Sequence, residues 1–180
     1  MKKKLSKEIK IPEGTEVTIE ENVIKAKGLE GENSKKFDFK KLNIKKEEDK
    51  IILSHDNATK KEKKIMNTLA SHIKNLFRGV NLKFKYKLKI CFIHFPFTVK
   101  IEKGAAIIKN FLGEKIERKV MLPKNVDIEI NKEIITIKSV DKELAGQAAA
   151  NLETVTKIRN RDKRIFQDGI YIINKDGKEM

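Results

Sequence analysis

The sequence predicts an α+β protein of two similar domains arising by internal duplication, each an antiparallel sheet packed against one α-helix. Three observations carry that expectation. Short alternating apolar segments recur between Gly, Pro and acidic turns, two helical stretches share one apolar spacing, and the second half repeats features of the first in the same order. At 180 residues, with 39% hydrophobic and 37% charged, the chain can fill two small cores and little more. The expected division is an N-terminal domain, 1–80, and a C-terminal domain, 81–180, carrying a basic tail from about residue 157.

Ile11-Pro12-Glu13-Gly14 reads as a turn; Val17 and Ile19 then alternate with polar residues, Glu21-Asn22 reverses the chain, and Val23-Ile24-Lys25-Ala26 returns. Gly28-Leu29-Glu30-Gly31 has the outline of a GxxG nucleic-acid loop, but Glu30 carries the wrong charge for a phosphate clamp, so it reads as a turn. Phe37 and Phe39 mark a short strand. Leu42 and Ile44, a Glu47-Glu48-Asp49 turn and Ile51-Ile52-Leu53 make a second hairpin, after which Asp56-Asn57 offers a helix cap. From Thr59 to Arg78 the positions Ile65, Leu69, Ile73 and Leu76 line one helical face that Gly79 ends.

Phe84, Tyr86, Leu88 and Ile90 alternate with Lys83, Lys85, Lys87 and Lys89, the pattern of a half-buried strand with a basic outer face. Phe92 to Val99 continues extended, with Pro96 marking an edge or turn. Ile107 to Leu112 is a short apolar piece, and Ile116 to Leu122 is strand-like. Leu122-Pro123 then matches Ile11-Pro12 at an offset of 111, while Leu144, Ala148, Leu152 and Val155 match the first helix at an offset of 79. Either the first copy carries an extra hairpin, or the hairpin at Val126 to Lys138 is the mate of the one at Leu42 to Leu53. The second arrangement is preferred, because it gives each half two strand pairs and a closing helix.

A net charge of +15 and a pI near 9.7 attract polyanions and repel a second copy of the chain, which disfavours an obligate homo-oligomer. Residues 1–80 hold 20 basic against 13 acidic side chains and residues 81–180 hold 21 against 13, so both halves are cationic. Cys91 is the single cysteine, pointing to a reducing, cytoplasmic home; no apolar run approaches a membrane span, and Met1-Lys2-Lys3-Lys4 precedes no signal-peptide core. His55, His72 and His94 are too far apart for a metal pair, and Cys91 and His94 would point to opposite faces of a strand. No nucleotide-binding loop, nucleophile elbow or magnesium-spaced acidic cluster is present, so no catalytic residue, metal or cofactor is assigned.

Three of the five arginines lie in one stretch, Lys157-Ile158-Arg159-Asn160-Arg161-Asp162-Lys163-Arg164-Ile165-Phe166-Gln167-Asp168-Gly169-Ile170-Tyr171. Arginine presents a planar fork that grips phosphate and stacks on bases, so a lysine-dominated chain that concentrates it marks a contact surface. A cation-decorated helix end would need only two or three such charges. Lys157, Arg159, Arg161, Lys163 and Arg164 are the expected phosphate ligands. Phe166 is expected to stack on a base or pack, and Tyr171 to pack in the core. Asp168-Gly169 is expected to turn the tail, and Asp162 to orient a neighbouring arginine.

This stretch, with Gln147-Ala148-Ala149-Ala150-Asn151-Leu152 before it, resembles the C-terminal signature of the large-subunit ribosomal protein six family in its archaeal and eukaryotic branch, whose eukaryotic member is called nine. Ile11-Pro12-Glu13-Gly14, Phe95-Pro96, Lys109-Asn110-Phe111-Leu112-Gly113-Glu114 and Leu122-Pro123 extend the resemblance over nearly the whole chain. It implies a duplicated protein that binds large-subunit rRNA near the sarcin-ricin loop and the stalk base, beside neighbouring ribosomal proteins. The implied RNA-binding set is Lys157, Arg159, Asn160, Arg161, Lys163, Arg164, Phe166, Gln167, Gly169 and Tyr171. Phe166-Gln167-Asp168-Gly169 stands where bacterial members carry a Tyr-Lys-Gly-Lys-Gly tail, which points to an archaeal-type ribosome. The other reading left by charge alone is a free nucleic-acid-binding regulator or chromatin-like protein using the Lys83 to Lys89 face.

Overall fold

A computed structural model describes residues 3–20, 23–37, 42–47 and 49–180. The expected strand residue Phe39 and the turn residues Glu21, Asn22 and Glu48 lie outside the described residues. The chain divides into two compact units, Met1–Lys83 and Phe84–Met180.

In the first unit, β1 (Lys3–Lys10) opens the chain, followed by β2 (Glu16–Glu20), β3 (Val23–Gly28), β4 (Gly31–Lys36), β5 (Asn43–Glu47), β6 (Lys50–Ala58) and α1 (Lys60–Asn81). They form two antiparallel sheets, ordered β1-β6-β5 and β2-β3-β4. The helix packs on strands of both sheets, and Ile9, Ile24, Ile51, Leu53 and Ile73 are almost wholly buried. The sequence predicts no strand before Ile11. Lys7 interrupts the apolar alternation of Leu5 and Ile9, so no strand pattern shows, and β1 exists because β6 supplies its hydrogen bonds.

The helix face is rotated by one residue from the expected one. Met66, Leu69, Ala70, Ile73, Leu76, Phe77 and Val80 are buried, while Ile65 is 48% exposed. Ile65 and Met66 both satisfy a helical spacing to Leu69 and Ile73, so periodicity could not choose between them. Thr59, not Asp56-Asn57, is the cap: it forms a capping box with Glu62, while Asp56 and Asn57 belong to β6. Gly79 does not end the helix but lies buried within it. Its last turn meets the β3–β4 turn, where the Glu30 N–H donates to the Val80 carbonyl at 2.8 Å. The GxxG outline is therefore a tight hairpin with Gly28 opposite Gly31. A Cβ on Gly28 would sit 2.6 Å from Asn81 Oδ1 and 2.8 Å from the Val80 carbonyl oxygen, so the close approach requires glycine.

The second unit contains β7 (Phe84–Cys91), β8 (Thr98–Glu102), β9 (Ala105–Lys109), a 3₁₀ turn (Phe111–Gly113), β10 (Arg118–Met121), β11 (Asp127–Asn131), β12 (Ile134–Ser139), α2 (Lys142–Val155), β13 (Gly169–Lys175) and β14 (Lys178–Glu179). Its sheets are ordered β10-β9-β8 and β11-β12-β7-β13-β14. The Phe92 to Phe97 segment is a bent loop rather than an extended continuation of β7. The buried residues Ala145, Ala148 and Ala149 let α2 lie close to the sheet, and Leu144 is only half buried.

The topology resolves the internal repeat. The order β7-β12-β11 repeats β1-β6-β5, the meander β8-β9-β10 repeats β2-β3-β4, and a helix closes each unit. The Val126 to Lys138 hairpin is thus the mate of the Leu42 to Leu53 hairpin. The match of Leu122-Pro123 to Ile11-Pro12 relates different parts of the two copies. Only the second unit continues beyond its helix, and β13 does so as an internal strand of the sheet, paired with β7 on one side and β14 on the other. The segment after residue 157 is consequently a loop and two strands, not a free tail.

Gly28→Ala is expected to lower the stability of the first unit by about 1–3 kcal/mol through overpacking, read by urea denaturation of the full chain. Ile65→Gln should change stability by less than about 0.5 kcal/mol, whereas Met66→Ala should cost about 2–5 kcal/mol. Equal costs at the two positions would refute the rotated helix face.

Candidate nucleic-acid interface

The basic stretch is a loop pinned at its base. At the end of α2 the Thr156 hydroxyl lies 3.3 Å from the Leu152 carbonyl and 3.2 Å from that of Glu153, and it accepts the Ile170 N–H at 2.9 Å. That bond joins the helix end to the start of β13. Ile158 and Asp168, at opposite ends of the loop, are buried, so the residues between them are forced outward. Lys157, Arg159, Asn160, Arg161, Lys163, Arg164 and Gln167 are all exposed. Asn160 takes a left-handed conformation, φ 57°, which asparagine tolerates better than most residues.

The loop orders its own cations differently. Asp162 accepts from the Arg164 N–H at 2.9 Å and from the guanidinium Nη2 at 2.9 Å and Nε at 3.2 Å. Asp162 therefore orients Arg164, and these bonds hold its carboxyl below the ordinary range against a smaller opposing effect of burial. The Phe166 N–H donates to the Asp162 carbonyl at 2.9 Å, closing the turn. Phe166 is occupied: the Arg161 guanidinium lies 4.7 Å from its ring centre, and the His94 ring stacks at 4.6 Å and 15°.

Asp168 is the fixed point beneath this stack. Its Oδ1 accepts the backbone N–H groups of Ile93 (2.9 Å) and His94 (3.0 Å), and its Oδ2 is 2.7 Å from His94 Nδ1. Burial by itself would raise its pKa, but the hydrogen bonds from His94 and the two N–H groups together hold it below the usual carboxylate value. Its role is to tie the loop after β7 to the basic loop. Gly169 is buried at the start of β13 and faces the Tyr171 ring, which a Cβ would meet at 3.2 Å. Tyr171 is 41% exposed, contrary to the expectation of core packing, because its ring lies across Gly169 instead of entering the sheet interior.

Sequence reasoning missed Arg118 and His94. Arg118 on β10 and Lys157, Arg159 and Arg161 of the loop line one cleft of about 500 Å³, together with Glu114. Hydrogen bonding by Arg118, opposed by burial and reinforced by the charges of Arg118 and Arg161, lowers the Glu114 pKa. Arg118 stands alone in its strand, and only a count of the scarce arginines singles it out. Among the described residues no group of three or more His, Cys, Asp and Glu side chains could hold a metal, and no helix is long and apolar enough to cross a membrane.

Structurally this is a duplicated α+β protein that carries an outward-facing cationic loop in its second copy. The sequence model of the family described as Ribosomal protein L6 matches residues 11–82 and 95–169. The chain is 42% identical over 172 residues to large ribosomal subunit protein uL6 of Methanobrevibacter smithii, covering 96% of this chain and 97% of that protein. It is 38% identical to the protein of the same name from Methanothrix thermoacetophila, covering 97% and 99%, and 38% identical to that of Archaeoglobus fulgidus, covering 93% and 88%. The chain belongs to the ribosomal protein L6 family.

Asp168→Asn is expected to destabilise the second unit by about 1–3 kcal/mol near neutral pH, because the amide can keep one oxygen for the Ile93 and His94 N–H groups but loses the charge and the second oxygen that faces His94 Nδ1. The depressed Asp168 pKa stabilises the fold above the unfolded value of about 3.9, and this contribution is lost as pH falls through the folded value. The variant should therefore show a flatter fall in stability below about pH 4 than the parent chain, read by denaturation at a series of pH values.

Proposed function

We propose that the protein is a structural constituent of the large ribosomal subunit, acting in the cytoplasm by binding large-subunit rRNA near the sarcin-ricin loop and the stalk base, beside neighbouring ribosomal proteins. The observation that carries the reading is the family match over both copies, joined to a pinned loop that presents five cations outward. Lys157, Arg159, Arg161, Lys163 and Arg164 ligate phosphates, and Asn160 and Gln167 add hydrogen bonds to the RNA backbone. Phe166 serves by carrying Arg161, since His94 occupies its other neighbouring position. Tyr171 offers an exposed ring for stacking on a base, and Gly169 supports that ring. Structured RNA is recognised largely by shape, phosphate and 2′-OH contacts, which suits a rigid cationic loop.

The protein should co-sediment with large subunits after gentle lysis, and its affinity for isolated large-subunit rRNA should fall steeply with salt. Replacing Arg159, Arg161 and Arg164 together by Ala should weaken rRNA binding by roughly a hundredfold and reduce the log–log salt slope by about 2–3. An unchanged slope would show that this loop is not the phosphate-binding surface. Comparable affinity for duplex DNA would instead support a free nucleic-acid-binding regulator.

A further inference from the structure

The cleft beside the basic loop has a feature that phosphate binding alone does not use. Its cationic side is formed by Lys157, Arg159 and Arg161, but Leu112, Val120 and Ile158 give it apolar walls. Arg118 lines the same cleft, and its guanidinium is held by several bonds. Nε donates to Glu114 Oε2 at 2.7 Å, Nη2 pairs with Glu114 Oε1, and Nη1 donates to the Val155 carbonyl at 2.8 Å. Three of its five N–H donors are thereby committed. The buried Phe111 ring covers one face, 4.4 Å from Cζ. The side chain is nevertheless 27% exposed and lines the cleft.

We propose that this cleft receives one unpaired nucleotide of an RNA strand, whose base stacks on the free face of the Arg118 guanidinium while its flanking phosphates meet Lys157, Arg159 and Arg161. A guanidinium clamped at its edges is poorly disposed to wrap a phosphate but presents a flat cationic surface to a base. Glu114 neutralises Arg118 locally, so the net positive charge of the cleft sits on the loop side, where the phosphates would lie. The apolar walls favour the base over a bare anion. This inference rests on the RNA-binding reading and adds base recognition to it.

The test compares full-length protein binding to a single-stranded oligoadenylate of about twelve nucleotides with binding to an abasic strand of equal length and charge. The parent chain should bind the base-bearing strand roughly tenfold more tightly. Arg118→Lys keeps the charge but removes the plane, and Thr154→Trp fills the cleft from an exposed position of α2. Each should abolish the difference while leaving the salt slope intact. Thr154→Trp keeps the test decisive if Arg118→Lys fails to fold. Equal binding of the two strands by the parent chain, absence of binding to either, or an undiminished preference in folded variants would overturn the proposal. If large-subunit rRNA still binds with its steep salt slope, the cleft proposal alone fails; if that binding is absent too, the rRNA reading falls with it.

Discussion

The second unit depends on one buried carboxylate. Asp168 is removed from water, yet every acceptor position it uses is answered by the segment after β7: two backbone N–H groups and the His94 ring. A buried charge is tolerated only when so satisfied, and the same satisfaction makes its geometry narrow. Through His94 the constraint reaches Phe166, and through Phe166 it reaches Arg161. A surface arginine would ordinarily be mobile; this one is held over a ring that is itself stacked on an imidazole tied to a buried acid.

The two loop ends obey the same logic. Thr156 serves the helix end and the Ile170 N–H of β13 with one hydroxyl, and Ile158 and Ile170 are buried on either side of it in the chain. Because both ends are fixed, the many charges between them point into solvent without unravelling the fold. Like-charge repulsion within the loop is relieved locally by Asp162 and, across the cleft, by Glu114. Arg161 and Arg164 are therefore held in place within the loop, an order that lowers the entropic cost of the RNA binding proposed for it.

Duplication explains why this device appears once. Each copy builds a three-stranded meander, a second antiparallel sheet and a closing helix, and the first stops there. In the second copy β13 pairs with the strand corresponding to β1, so the sheet gains an internal seam that anchors the loop at its far end. The addition of β13 turns a charge run into a surface of defined shape.

The amino-acid sequence alone determined the class of fold, the number of copies, the helices and the place where arginine is concentrated. These follow from local periodicity, turn chemistry and charge, all of which act over a few residues. The mating of the two hairpins could be favoured from the sequence but not settled, and where two strand pairs were expected before each helix the structure has a single strand, a three-stranded meander and a hairpin. What remained ambiguous locally was decided by packing: Met66 rather than Ile65 faces the core, and Tyr171 lies outside, whereas the Thr59–Glu62 capping box is a local motif that the sequence already carries. Tertiary structure alone brought Asp168 to His94, 74 residues away, and Arg118 to the basic loop. Such contacts join residues with no periodic relation in the chain, so nothing local encodes them, and it is they that turn a run of cations into a shaped site.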